Sequence, residues 1–263
     1  MELDNIFLEE LTLAGYKNEI DLQVFEKILR YKNLKIVNFY TNLSDEQIGK
    51  INGKNNSITS LYVTKDKVSG QMLNLINKFP NLNLLSLSSG GFENKDIELI
   101  ENSNCKIKSI NLSNLSNVKA YCQSYDSLTS FSIVLMKISN YNNIFPFNII
   151  NKKITFNSLT NFVVQCFNSE NIDTDFLNKL YSVLDSMPNL NFVSLNIFSN
   201  YITEDYYKKL LKKILSKDKL NCLVYSVLTK NSNSAVLTKD VVQHMFPDIK
   251  IGNILSFFVR KYI

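Results

Sequence analysis

The chain has 263 residues, 45% of them hydrophobic, and 29 Lys and Arg against 24 Asp and Glu give a net charge of +5. That apolar content is enough for a substantial core and argues against disorder, while no apolar run is long enough to cross a bilayer. Only Arg30 and Arg260 are arginine, so the weak basicity reflects a Lys, Asn, Ile and Tyr bias of the AT-rich kind and carries little functional information.

The first thirty residues mix Glu2, Asp4, Glu9 and Glu10 with apolar residues and lack the basic start and apolar stretch of a signal peptide. A cytoplasmic location is the expectation, and a secreted one if a leader has been removed. Leu8-Leu11-Leu13 is then the first copy of an L-x-x-L-x-L spacing with Leu, Ile, Val or Phe at the apolar positions. It returns as Leu34-Val37-Phe39, Ile58-Leu61-Val63, Leu82-Leu85-Leu87, Ile107-Ile110-Leu112 and Leu128-Phe131-Ile133. After a longer interval come Leu159-Phe162-Val164, Leu190-Val193-Leu195, Leu220-Leu223-Tyr225 and a degraded Ile249-Gly252-Ile254. The copies start at 8, 34, 58, 82, 107, 128, 159, 190, 220 and 249, a spacing too regular for chance clustering. Physically, each copy predicts a short strand that turns alternate residues inward and pairs with its neighbours in one parallel sheet.

The intervals read as helices. Ser44-Asp45-Glu46-Gln47 forms a capping box ahead of Ile48 and Ile51, and Thr203-Glu204-Asp205 opens a helix carrying Leu210, Leu211, Ile214 and Leu215. Pro80, Pro188 and Pro247 stop the helices before the next strand. The irregular insertion 139–157, with Pro146 and runs of Asn, predicts a loop or edge hairpin, and the repeat lengthens after it from about 24 to about 30 residues.

Ten such copies resemble the leucine-rich-repeat family over residues 6 to 255. The resemblance implies an α/β fold, a curved solenoid of about ten repeats forming a single domain over 1–263. Its parallel sheet would lie on the concave face and its helices on the convex face. The family's Asn at the ninth repeat position is found only at Asn42, against Asp66, Gly90, Leu115, Met136, Phe167, Phe198 and Leu228 elsewhere. The units are therefore closer to irregular ribonuclease-inhibitor-like or F-box-associated repeats, with no F-box ahead of them. The Asn- and Lys-rich composition also resembles repeat chains of AT-rich eukaryotic parasites such as microsporidia, which implies an effector-type role.

Positions 3, 5 and 7 of each strand should face the concavity, and among those thirty residues only Glu10 is charged. Such a surface suits an uncharged protein or peptide partner. Its candidate contacts are Ile36, Asn38, Tyr40, Tyr62, Leu84, Asn111, Asn161, Val163, Phe192 and Asn196, with Tyr40, Tyr62 and Phe192 as anchors. The tenth copy would add Ile251, Asn253 and Leu255 to the same face. The alternative is a basic patch on a convex helix, Lys208, Lys209, Lys212 and Lys213, binding nucleic acid or a membrane surface.

Nothing points to catalysis. The single His244 lacks a linked nucleophile, Gly90-Gly91 lacks a phosphate-loop motif, and Cys105, Cys122, Cys166 and Cys222 lack metal-ligand spacing. Arg30, in the first helix, and Arg260, in the C-terminal tail, are poorly placed for a GTPase activator. A monomer without enzymatic activity, cofactor or metal is expected.

Overall fold

In a computed structural model the structure is described for residues 8–14, 22–40, 45–50, 52–64, 72–88, 107–113, 128–135, 155–166, 172–228 and 234–262. Strands form where the apolar spacing places them: β1 Glu10–Ala14, β2 Ile36–Tyr40, β3 Ser60–Thr64, β4 Leu84–Ser88, β5 Ser109–Ser113, β6 Ser130–Leu135, β7 Asn161–Cys166, β8 Phe192–Phe198 and β9 Cys222–Leu228. β10 Ser234–Leu237 and β11 Ser256–Tyr262 complete one sheet of eleven strands, ordered β1 to β9, then β11, then β10. All pairs are parallel except β10 with β11.

The described helices are α1 Leu22–Ile28, α2 Asp45–Lys50, α3 Met72–Ile76, α4 Thr174–Val183 followed by a 3-10 turn, α5 Glu204–Leu215 and α6 Lys239–Met245. Where the chain supplies a capping side chain the helix begins there. Asp173 accepts the Phe176 N–H at 2.9 Å, and Thr203 and Thr238 do the same for Tyr206 and Val241. α2 begins at Asp45, and its expected cap Ser44 lies outside the described residues.

The core lies on one side of the sheet. Val37, Leu61, Leu85, Ile110, Phe131, Phe162, Val193 and Leu223 stand side by side in one register row and are all buried. They share a single buried cluster with Ile28, Leu75, Phe176, Leu180, Leu210, Ile214 and Val242 from the helices, so the described helices pack on this face. At roughly 1.5–3 kcal/mol per buried large apolar side chain, this cluster is the main force ordering the stack.

A backbone device fixes the register. The carbonyl two residues ahead of one strand's first inward residue accepts two consecutive N–H groups of the next unit, as Lys35 accepts from Thr59 at 2.9 Å and Ser60 at 3.0 Å. The arrangement runs unbroken from Glu9 to Asn221, and the Thr129 and Thr160 hydroxyls add a donor at 3.1 Å to the Lys108 and Thr129 carbonyls.

That device corrects the tenth copy. Asn221 accepts from Leu255 and Ser256, and Ser256 pairs with Cys222, so the last inward set is Ile254-Phe257-Val259 rather than Ile249-Gly252-Ile254. The cause is local. Gln243 donates to the Ile249 carbonyl at 2.7 Å and its Oε1 faces the Ile251 N–H at 3.4 Å, which holds residues 246–251 as a loop. Gly252 would moreover have offered no side chain at the central inward position, where Phe257 packs against the core. Ile251 is therefore buried, while Asn253 and Leu255 are exposed in the turn before the strand. β10, for which the sequence gives no repeat signal, adds an antiparallel strand outside β11.

Of the insertion 139–157, residues 139–154 lie outside the described residues. Phe156 is buried and its N–H reaches the Ser186 carbonyl at 2.7 Å, tying the end of the insertion to the turn after α4.

Around α5, burial pushes the phenols of Tyr206, Tyr207 and Tyr225 well above the ordinary tyrosine range. Tyr225 donates to the Tyr207 carbonyl at 2.9 Å and Tyr206 to the Leu177 carbonyl at 2.6 Å. In an unfolded chain each would lose its proton near pH 10, so above about pH 10 the folded state holds more protons and its stability falls as pH rises. In an alkaline titration these tyrosines should ionise in step with loss of circular dichroism. Full tyrosinate absorbance from all 13 tyrosines with the fold intact would contradict the burial of the three.

Candidate functional site: the outward face of the sheet

The strand residues that alternate with the core positions face away from the helices. In-register pairing sets them in rows, and the central row runs Thr12, Asn38, Tyr62, Ser86, Asn111, Ser132, Val163, Ser194, Val224 and Phe258. Ile36, Tyr62, Leu84, Asn161, Val163, Phe192 and Asn196 are half-buried there, Asn111 is exposed, and Tyr40 is 52% exposed.

The candidates are not equivalent. Asn38 is buried, and its Nδ2 donates to Glu10 Oε1 at 2.8 Å and Thr12 Oγ1 at 3.0 Å, so it braces β1 against β2 and has little left to offer a partner. Asn196 Oδ1 is buried without a hydrogen-bond partner. Tyr62 stands in the row between Asn38 and Ser86, with Ile36, Tyr40 and Leu84 one diagonal step away on the flanking strands. Farther along, Val163 has Val134 and Phe192 as diagonal neighbours, and Val224 follows Phe192 in the same way.

The corrected register brings in residues the repeat pattern had misplaced. Ser256, Phe258 and Arg260 take the outward positions of the last parallel strand in place of Ile251, Asn253 and Leu255. Arg260 is thus a residue of this face and not a tail residue, with its guanidinium 5.3 Å from the Phe258 ring centroid. The signal was present, since Ile254-x-x-Phe257-x-Val259 fits the spacing better than the copy centred on Gly252. At positions 3, 5 and 7 of the ten parallel strands the charges are Glu10 on the first and Arg260 on the last.

The lysine-rich helix is largely neutralised. Lys208 pairs with Glu204 at 2.9 Å, Lys209 with Asp205 at 2.8 Å, and Lys213 with Asp185 at 2.6 Å while lying 3.7 Å from the Tyr181 ring centroid. Lys212 is exposed and has no ion pair among the described residues. Nearby Lys217 donates to the Leu184 carbonyl at 2.6 Å, and burial lowers its pKa. With Lys208, Lys209 and Lys213 each paired, Lys212 is the helix lysine left with unneutralised charge among the described residues, little with which to displace counterions.

Comparison with family models, with curated proteins and with solved structures gives no match in any of the three. The chemistry of the remaining groups must therefore be read from their surroundings. His244 Nδ1 sits 2.7 Å from the Asp240 carbonyl in its own helix. Cys166 is buried and its thiol is pushed up by that burial, whereas Cys222 is half-buried on the outward face. Cys105, Cys122, Gly90 and Gly91 lie outside the described residues. Arg30 follows α1 and lines a cleft of about 480 Å³ with Lys32, Lys54 and Asn55, at the turns leading into β2 and β3. Among the described residues no helix is long and apolar enough to cross a membrane.

Proposed function

We propose that the chain is a leucine-rich-repeat solenoid that works as a monomeric, non-enzymatic scaffold, binding a protein or peptide on the outward, concave face of its sheet. The observation that carries this reading is the composition of that face. Ten strands in register present Ser, Thr and Asn with isolated apolar and aromatic side chains, and charge occurs only at the two ends. Such a surface packs and hydrogen-bonds a neutral partner without desolvating unpaired charges.

The test is a comparison of retained partners between the intact chain and a Tyr40→Ala, Tyr62→Ala, Phe192→Ala variant. Central anchors are worth about 2 kcal/mol or more each, so recovery should fall at least tenfold. Unchanged recovery would end the assignment. If binding instead survived these substitutions and fell steeply with added salt, Lys208, Lys209, Lys212 and Lys213 would be the site, binding nucleic acid or a membrane surface.

A further inference from the structure

The outward face is divided along its length. An apolar patch centred on Tyr62 in β3 is joined by Ile36, Tyr40 and Leu84, and a second centred on Val163 in β7 and Phe192 in β8 is extended by Val224. Between them, β4 to β6 present Ser86, Ser109, Asn111, Ser130 and Ser132, whose side chains have no hydrogen-bond partner among the described residues. At the far ends stand Glu10, exposed on β1, and Arg260, exposed on β11.

With neighbouring strands about 4.8 Å apart, β3 to β7 or β8 spans about 19–24 Å across the sheet. Solvent-facing hydroxyls and an amide not engaged by the described residues over that span suit an occupant that brings backbone N–H and C=O groups of its own, which an extended segment has and a helix has already paired. At about 3.3 Å per residue, such a segment covers the span in six or seven residues. β1 and β11 each lie about two strand spacings beyond a patch, or about three further residues.

We infer that the face takes one extended peptide segment crossing the strands, with two apolar side chains six or seven residues apart, a neutral stretch between them, a basic residue toward Glu10 and an acidic residue toward Arg260. This rests on the outward face being the binding surface. It adds the length, spacing, charge and direction of the occupant. Glu10 and Arg260 set that direction, because reversing the peptide would place like charges together at both ends.

Selection of a displayed random library of 15-residue peptides on the full chain tests it. The enriched sequences should share the two apolar positions at that spacing and lose at least tenfold in binding to Tyr62→Ser and to Phe192→Ser. Against Glu10→Lys the preferred residue at the basic end should change sign. Enriched peptides without the spacing that still fail to bind Asn111→Arg would overturn the two-anchor inference and leave the outward face as the binding surface. Peptides indifferent to Asn111→Arg would overturn both, and no enrichment over an unrelated control protein would overturn the inference. Each variant's melting curve, matched to the intact chain, separates lost contact from lost fold.

Discussion

Replacing Phe162 by alanine is expected to destabilise the fold by about 3–5 kcal/mol, measured by urea unfolding. Phe162 is fully buried in β7, its ring stacks on Phe131 with centroids 6.2 Å apart, and its register neighbour on the other side is Val193. Each backbone position here is fixed on both sides by strand pairing, so the site can collapse little around the lost ring. The position matters as much as the size. β6 and β7 flank the insertion, where the short repeats give way to the long ones, and in a stack of units stability is a sum over neighbouring interfaces. Weakening this one should broaden or split the unfolding transition, with amide exchange rising first on the N-terminal side. There α1 to α3 are 5 to 7 residues long, against 10 and 12 for α4 and α5. A loss below about 1.5 kcal/mol with a single sharp transition would show that the two halves are not joined through this ring.

The strands were legible because each needs only three apolar residues at fixed spacing, and the rule held wherever the inward residue was large. It failed at the tenth copy, where two overlapping copies compete and Gln243, through contacts invisible to any periodicity, decides between them. β10 was illegible for a related reason. It is held by pairing with β11 and by no repeat spacing of its own. Of the site, the near absence of charge was readable from alternation alone, and the correction sharpened it by placing Arg260 opposite Glu10 in the stack. What the alternation could not show is that Asn38 is committed to Glu10 and Thr12, or that Lys208, Lys209 and Lys213 of α5 are paired, because both depend on partners from neighbouring elements or helix turns.

Backbone groups between units also need partners, and Asn55 supplies them at one junction. Its side chain is buried, with Nδ2 donating to the Tyr31 carbonyl at 2.8 Å and Oδ1 accepting from the Ser57 N–H at 2.8 Å, the Ser57 hydroxyl at 2.6 Å and the Ile58 N–H at 3.2 Å. It thereby joins the chain leaving α1 to the turn before β3. Asn81 and Asn189, each after a proline, make single exposed versions of this link to the Asn56 and Asn157 carbonyls. Asn55→Ala strands two N–H groups in a buried turn and should cost about 2–4 kcal/mol.

Asn55→Asp separates hydrogen bonding from shape. The introduced carboxylate can still accept from Ser57 and Ile58, but it turns a charged oxygen toward the Tyr31 carbonyl in a buried site, so its folded pKa should lie above the unfolded value of about 3.9. The protonated form restores a donor to Tyr31. A group whose folded pKa is raised keeps its contribution below the unfolded pKa and loses it as pH rises through the folded one, so the deficit relative to wild type should be smaller at pH 4 than at pH 7. A deficit that grew toward pH 4 would mean that the two N–H donors outweigh the carbonyl and that Asn55 acts chiefly as an acceptor.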